Sequence, residues 1–177
     1  MRIIAGTRKG HTIFAPQGLR TRPTADRTRE AAFNLIGSVD DAGVLDLFAG
    51  SGAMGLEALS RGADHVVFVE SDREAARTIE RNLDRLRLTG ATVVRRDALT
   101  ALAAEGAAGR RYDIVLVDPP YQQWPALEPR LAPYLQAVLA EGGLLVVETS
   151  ARVEPDLPLA SRTSRRYGSA RLTLYEQ

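Results

Sequence analysis

Residues 44–55 read Val44-Leu45-Asp46-Leu47-Phe48-Ala49-Gly50-Ser51-Gly52-Ala53-Met54-Gly55, and this stretch decides the fold. The apolar run at 44–48 predicts a buried strand, the glycines predict a turn, and Leu56-Glu57-Ala58-Leu59 predicts the start of a helix. Glycine lets a backbone come close to a ligand, and a helix N-terminus offers unpaired N–H groups to a carboxylate or phosphate. The order of strand, glycine turn and helix is therefore typical of a nucleotide-binding loop.

Strands and helices alternate along most of the chain. We predict strands near 44–48, 65–70, 91–96, 113–117 and 143–149, a helix from about Ala25 to Gly37 capped by Thr24, and a helix from about Ala126 to Ala140. Such alternation predicts an α/β fold with a parallel sheet and right-handed crossovers. The tail differs, because Thr163–Arg166 and Arg171–Tyr175 flank a short turn, as in an antiparallel hairpin.

A second motif, Asp118-Pro119-Pro120-Tyr121, closes the apolar run at 114–117. Proline cannot donate to a strand ladder, so the two prolines end the strand and stiffen the turn after it. The turn presents a carboxylate, the Pro119 carbonyl and an aromatic ring at the C-terminal edge of the strand. Two acceptors beside a stacking surface suit a planar heterocycle that carries an exocyclic amino group. The alternative is a rigid turn with a solvent-facing Asp118.

The glycine spacing by itself leaves two cofactors open. Gly50, Gly52 and Gly55 also satisfy the dinucleotide pattern, so the loop fits NAD as well as S-adenosylmethionine. Asp46 at the strand end and the amine-holding motif at 118–121 favour S-adenosylmethionine, because hydride transfer has no use for that motif.

Acidic residues follow the next two predicted strands. Glu70 lies 18 residues beyond Gly52, where an acid can accept hydrogen bonds from ribose hydroxyls. Asp72 also suits the N-cap of the following helix, so we assign the ribose to Glu70, which directly follows the strand. Asp97 suits either an adenine amino group or a helix N-cap, and the sequence leaves both open.

Together these motifs resemble the class I methyltransferases. The best fit is the family of RsmD-type 16S ribosomal RNA guanine-N2 methyltransferases, because Arg22-Pro23-Thr24, Arg27 and Glu30 match it, as does the opening at residues 2–6. The turn Gly6-Thr7-Arg8-Lys9-Gly10-His11 departs from the more usual double glycine of the family, and this departure concerns only the predicted RNA arm.

The resemblance implies a fold, a cofactor and a substrate. The fold is Rossmann-like, a mostly parallel seven-stranded sheet ordered 3-2-1-4-5-7-6 with a C-terminal antiparallel hairpin and an N-terminal β-hairpin extension. The cofactor is S-adenosylmethionine, bound by Asp46, Phe48, Gly50, Ser51, Gly52, Glu70, Ser71, Asp97, Ala98, Thr24 and Arg27. The substrate is the N2 amine of a guanine in 16S ribosomal RNA within the small ribosomal subunit, held by Asp118, Pro119 and Tyr121.

Positive charge is concentrated at the N-terminus. Residues 1–30 carry seven basic and two acidic side chains, a net charge of +5, whereas the rest of the chain has a net charge of −4. We predict a β-hairpin (Arg2–Ala5 with His11–Ala15) and a basic arm within residues 1–24, followed by a methyltransferase domain at 25–177. A basic arm on an acidic body is typical of phosphate binding, although a solvated charged face is the alternative. To RNA we assign Arg8, Lys9, Arg20 and Arg22.

Composition agrees with one enzyme domain. The 177 residues are 45% hydrophobic and 25% charged, and no apolar run approaches the roughly 18 residues of a membrane helix. We expect a cytoplasmic monomer without a metal. The absence of cysteine excludes the nucleophile commonly used for C5 methylation of pyrimidines. The competing functions are an adenine-N6 methyltransferase, a nucleotide-dependent oxidoreductase and a non-catalytic RNA-binding module.

Overall fold

A computed structural model describes residues 1–16 and 23–177, with only the backbone described at 23–25. The helices of the described residues are α1 (Pro23–Ile36), α2 (Ala53–Ser60), α3 (Arg73–Leu86), α4 (Ala98–Ala107) and α5 (Trp124–Val138). The strands are β1 (Gly43–Leu47), β2 (His65–Glu70), β3 (Ala91–Arg95), β4 (Tyr112–Val117), β5 (Leu139–Ser150), β6 (Ala160–Tyr167) and β7 (Ala170–Glu176). Short 3₁₀ turns lie at Gly6–Arg8 and Tyr121–Gln123.

The seven strands form one sheet in the order β3-β2-β1-β4-β5-β7-β6. The first five are parallel, and β7 runs antiparallel to both β5 and β6. This arrangement confirms the predicted order and the predicted C-terminal hairpin. In the register, Leu47 pairs with both Val69 and Val117, and Val117 pairs with Val147. The C-terminal ends of these four strands therefore lie side by side, where ligands bind in open α/β sheets.

Helices cover both faces of the sheet, because the strand residues alternate between two apolar cores. On one face Val44 belongs to a core with Phe33 of α1, Leu56 of α2 and Ile79 of α3. On the other face Leu45 belongs to a core with helices α4 and α5. Central strands buried on both faces are typical of doubly wound folds.

Several predicted boundaries differ from the structure by one to four residues. α1 begins at Pro23, so Thr24 lies in the first helical turn and is not the N-cap. Proline is well suited to that first position, because its missing N–H would have no helical partner there. α5 begins and ends two residues earlier than predicted, and β5 begins at Leu139, four residues earlier than predicted.

The predicted N-terminal hairpin is only partly regular. Its arms approach through one antiparallel bridge between Arg2 and Thr12, and the N–H of Ile3 donates to the carbonyl of His11 at 2.9 Å. The backbone N–H groups of Ile4 and Ala5 instead donate to the carboxylate of Glu57, at 2.8 and 2.9 Å. Because α2 takes these donors, a regular ladder does not form.

The extension is packed into the main core. Ile3 and Ile13 are buried in the same core as the first face of the sheet. Gly6 lies so close to α2 that a Cβ atom there would be 1.7 Å from the carbonyl oxygen of Ser60, and its φ is +78°. Only glycine fits at that position, so the extension has one defined way to lie on α2. Within the described ranges, no helix has the length and apolar character needed to cross a membrane.

Candidate active site

The glycine loop between β1 and α2 has an unusual backbone. Phe48, Gly50 and Gly52 all have positive φ, at +62°, +55° and +78°. A bulky residue such as Phe48 rarely adopts this conformation, and such strain is commonly found at functional sites. At Gly55 a Cβ atom would be 2.3 Å from the Phe68 ring, so this glycine allows α2 to pack tightly on β2. The loop therefore turns sharply and directs the N-terminus of α2 at the C-terminal edge of the sheet.

Asp46 lies beneath this loop and is only 2% exposed. Its Oδ2 accepts a hydrogen bond from the backbone N–H of Gly55 at 3.0 Å, which fixes the first turn of α2 over β1. Burial, only partly offset by that hydrogen bond and reinforced by the charge of Glu70, raises the pKa of Asp46 to about 7. A nearby cationic ligand would favour the ionised form of this carboxyl group.

Glu70 links β2 to the glycine loop. One carboxylate oxygen accepts from the N–H of Gly50 and the other from the N–H of Asp72, both at 2.8 Å. Asp72 is the N-cap of α3, because its side chain accepts from the N–H of Ala75 at 2.8 Å. The structure thus gives the two neighbouring acids different structural roles. A carboxylate has about four acceptor positions, so Glu70 retains capacity for ribose hydroxyls.

Asp97 caps α4. Its Oδ1 accepts from the backbone N–H and from the hydroxyl of Thr100, at 3.0 and 3.2 Å. The capping role left open by the sequence is therefore present, and Asp97 is also exposed at the same edge of the sheet as Glu70. Beside these acids, Ser71 is exposed and Ala98 is buried.

Ser51 connects the loop to a residue that the sequence did not single out. Its carbonyl accepts from the Nδ2 of Asn82 at 3.1 Å, and Asn82 is fully buried in α3. The same amide also binds the backbone of Phe14: its Oδ1 accepts from the N–H at 2.7 Å, and its Nδ2 donates to the carbonyl at 3.0 Å. Asn82 thereby joins the N-terminal extension to the glycine loop. A buried Asn among apolar helix positions is the signal that could have identified it.

Asp118 and Tyr121 follow β4 as predicted, with Pro119 buried between them. The turn after β4 is completed by the short 3₁₀ turn Tyr121–Gln123. Tyr121 is half-buried, and its hydroxyl donates to Oε1 of Glu148 at 2.6 Å. Glu148 lies on β5 and was missed by the sequence analysis, because a lone acid within an apolar strand has no motif around it.

Three carboxylates share one face of the sheet. Leu47, Val117 and Val147 all pack into the core beneath α4 and α5. Strand side chains alternate between faces, so the residue before Leu47 and the residues after the two valines point to the opposite face. Those residues are Asp46, Asp118 and Glu148.

The carboxylates of this row influence one another. Asp118 is partly open to solvent, yet burial of its carboxyl group, followed by the negative charges of Glu148 and Asp46, raises its pKa well above the usual Asp range. Burial also raises the pKa of Glu148, although the hydrogen bond from Tyr121 acts in the opposite direction. We call the surface formed by these three carboxylates the cleft floor. It is acidic and rich in acceptors, which suits cations and N–H donors and disfavours a pyrophosphate.

Of the remaining predicted residues, some have described side chains and others lie outside the described residues. Arg27 is exposed on α1, and Lys9 is exposed on the N-terminal extension. Arg8 is half-buried, and its guanidinium donates to the carbonyls of Leu86 and Arg87 at 2.5 and 3.2 Å. Arg8 therefore stabilises the C-terminus of α3, a role the sequence did not reveal. Arg20 and Arg22 lie outside the described residues, as does the side chain of Thr24.

Two further features of the described residues bear on where a ligand binds. A surface cavity of about 340 Å³ at Ser38, Asp41 and Asp113 is at the N-terminal ends of the strands, opposite the glycine loop. Ligands of open α/β sheets bind at the carboxyl ends, so this cavity is not the site. Residues 1–16 and 23–177 contain no group of three or more His, Cys, Asp and Glu side chains able to hold a metal ion.

The sheet order, the glycine loop and the acid at the C-terminal end of each of the first four strands define the class I S-adenosylmethionine-dependent methyltransferase fold. The chain belongs to the family described as Conserved hypothetical protein 95, whose model matches residues 1–176. This membership, together with the relatives below, confirms the resemblance to the RsmD-type enzymes.

Two relatives and two solved structures illustrate the similarity. YlbH of Bacillus subtilis (strain 168) is 40% identical over 100% of this chain and 99% of its own length. Ribosomal RNA small subunit methyltransferase D of Escherichia coli (strain K12) is 43% identical over 70% of this chain and 61% of its own length. The Escherichia coli yhhF structure has a TM-score of 0.87 at 34% identity, covering 100% of this chain and 97% of that one. The T. thermophilus 16S rRNA N2 methyltransferase RsmC, in complex with AdoMet and guanosine, has a TM-score of 0.71 at 23% identity, covering 91% and 44%, and shows the fold alone.

Proposed function

We propose that this protein transfers a methyl group from S-adenosylmethionine to the exocyclic N2 amine of a guanine in 16S ribosomal RNA. The observation that carries the proposal is the position of Asp118, Pro119 and Tyr121 at the end of β4, beside the glycine loop that Glu70 fastens. The name of the Escherichia coli relative supports a small-subunit RNA substrate. The guanine base and the N2 position are our extension to this chain of what is named for RsmC, an N2 methyltransferase of the same fold in complex with guanosine.

The residues of the chain fit the proposed cofactor. S-adenosylmethionine supplies an electrophilic methyl group because its sulfur is positively charged. The Gly50–Gly52 turn and the N-terminus of α2 would hold the carboxylate end, while Asp46 lies beneath the loop and favours the cationic groups. Glu70 would accept from the ribose, and Asp97 would receive the adenine amino group.

Asp118 and the Pro119 carbonyl would accept the two hydrogens of the guanine N2 amine. This amine is a weak nucleophile, because its lone pair is delocalised into the ring. Hydrogen bonds from both hydrogens favour tetrahedral nitrogen and localise the lone pair towards the methyl donor. They also stabilise the positive charge that develops on nitrogen in the transition state. Tyr121 would stack on the base, a contact of about 1–3 kcal/mol.

A basic surface lies next to the cleft. Four exposed arginines recur at intervals of four residues along α3: Arg73, Arg77, Arg81 and Arg85. Two of them, Arg81 and Arg85, lie 4.6 and 5.1 Å from the ring centroid of Phe14, which Asn82 joins to the glycine loop. Lys9 is exposed on the same extension. These residues would contact RNA phosphates, whereas the fold of the target RNA would supply most of the specificity.

The decisive experiment identifies the methylated nucleoside. Small subunits from cells lacking this protein are incubated with the purified protein and labelled S-adenosylmethionine, and the digested RNA is analysed by mass spectrometry. N2-methylguanosine supports the proposal, whereas N6-methyladenosine would establish the adenine alternative. A thermal shift with S-adenosylhomocysteine but not with NAD excludes the oxidoreductase, and methyl transfer excludes a purely binding module.

A further inference from the structure

Glu148 lies beside Asp118 on the neighbouring strand. Val117, the last residue of β4, pairs with Val147 of β5, and Asp118 and Glu148 directly follow these two residues in the chain. The charge of Glu148 acts on Asp118, as expected for two carboxylates that lie close together. Both side chains point to the face opposite the valines, towards the proposed base site. The motif residue Asp118 therefore has a second carboxylate next to it that no sequence motif and no comparison assigns.

The Glu148 carboxylate is held in one orientation. Its Oε1 accepts from the Tyr121 hydroxyl at 2.6 Å, and Tyr121 belongs to the 3₁₀ turn after the motif. Among the described residues none donates a hydrogen bond to the other oxygen, Oε2. An oriented, half-buried carboxylate whose second oxygen receives no donor from the described residues favours an N–H donor from a ligand.

Guanine carries such a donor next to its N2 amine. Its N1 bears a hydrogen, so the N1–H and N2–H groups form a donor edge that matches two adjacent carboxylates. Adenine has the opposite pattern, because the N1 beside its N6 amine is an acceptor and would face Glu148 with a lone pair. A site built to hydrogen-bond one group strongly rejects an analogue that lacks it.

We propose that Glu148 is a specificity-determining residue that accepts a hydrogen bond from N1–H of the target guanine while Asp118 and Pro119 hold its N2 amine. This inference rests on the proposed function. A narrower role would be to hold the Tyr121 ring in place through the hydroxyl bond alone. The two roles differ in what the Tyr121 hydroxyl contributes, because only the positioning role depends entirely on it.

The test compares Glu148→Gln, Tyr121→Phe and the double variant in methyl transfer to small subunits lacking the modification. Loss of one charge-assisted hydrogen bond corresponds to about a 10- to 150-fold fall in kcat/KM for Glu148→Gln. Tyr121→Phe keeps the ring and should cost less, and Glu148→Gln should still lower kcat/KM in the Tyr121→Phe background. Glu141→Gln is the matched control, because Glu141 is exposed at the other end of β5.

Each outcome decides the question. Affinity for S-adenosylhomocysteine should stay within about twofold of wild type in all variants, which shows that the fold and cofactor site are intact. Equal losses in both single variants and the double variant would reduce Glu148 to a positioning residue, and a loss below about twofold for Glu148→Gln would remove it from the site. If wild-type protein forms no N2-methylguanosine in the same assay, the proposed function fails first, and that result is distinct from an inactive Glu148 variant.

Discussion

The side chain of Glu70 and the backbone N–H of Gly50 are joined by a hydrogen bond of 2.8 Å, so the end of β2 fastens the glycine loop at the end of β1. The acid assigned to the ribose therefore also shapes the loop assigned to the other end of the cofactor. Glu70 therefore links the two ends of the proposed cofactor site. Removing it should weaken cofactor binding through loss of the ribose contact and through loss of the bond to the glycine loop.

Glu70→Ala is expected to weaken S-adenosylhomocysteine binding much more than Asp72→Ala. Glu70 would lose the ribose contact and its bond to Gly50, whereas Asp72 loses only its cap on α3, about 1 kcal/mol of stability. Calorimetric titration measures the affinities, and thermal unfolding measures the stabilities. Equal affinities in the two variants would show that the ribose does not lie on Glu70.

Asp118→Ala is expected to remove most turnover while cofactor binding survives. Losing one charge-assisted hydrogen bond of roughly 1.5–3 kcal/mol corresponds to about 10- to 150-fold in rate. The matched control is Asp113→Ala. It removes an exposed acid at the other end of β4, where the carboxylate accepts a hydrogen bond from the N–H of Gly43. A joint collapse of cofactor affinity and rate in Asp118→Ala would mean that Asp118 holds the cofactor or the fold instead.

Much of the fold could be predicted because its signals are local in sequence. The glycine loop, the alternation of strands and helices and the motif at 118–121 each occupy a short stretch, and family resemblance added the sheet order. Glu148 could not be found this way, because its importance comes from the pairing of β5 with β4 and from the Tyr121 hydroxyl. The role of Arg8 at the end of α3 likewise depends on a contact 78 residues away.

The N-terminal extension shows why local rules failed. Its glycines and alternating residues predict a regular hairpin, yet Glu57 of α2 takes the N–H groups of Ile4 and Ala5. Glu57 is fully buried and also pairs with Arg61 at 2.8 Å and with Arg29 at 3.4 Å. A buried carboxylate needs such donors, so tertiary contacts override the hairpin pattern.

Asp46 gives the protein a measurable pH dependence. Its pKa of about 7 lies above the ordinary Asp value of 3.8. Between pH 3.8 and about 7 the native state therefore binds more protons than the unfolded chain. Native stability should therefore fall as the pH rises through about 7. Asp46→Asn cannot ionise and can still accept from Gly55, so thermal unfolding between pH 5 and 8 should show a flatter profile for the variant. Identical profiles would contradict the raised pKa.

Arg8 and Lys9 are neighbours in sequence with different expected effects. Arg8→Ala should lower the free energy of unfolding by about 0.3–1 kcal/mol, because a cation at the C-terminus of α3 is lost. Lys9→Ala should leave stability unchanged, since Lys9 is exposed, and should instead weaken RNA binding. Thermal unfolding and filter binding separate the two effects, and a stability loss for Lys9→Ala would contradict this division.

The last prediction concerns how the substrate is presented. The basic residues next to the cleft can bind phosphates but offer little reading of bases, so the target guanine must be displayed by the folded RNA. We expect robust methylation of assembled or partly assembled small subunits lacking the modification, and poor methylation of naked 16S RNA.

Neutralising Lys9, Arg81 and Arg85 together should weaken RNA binding and reduce the slope of log affinity against log salt by about 2–3, with cofactor affinity intact. The control set is Arg162, Arg165 and Arg166, exposed residues of β6, which is the edge strand at the far end of the sheet from β3. Comparable rates on naked and assembled RNA would refute the presentation argument, and an unchanged salt slope would remove this surface from the interface.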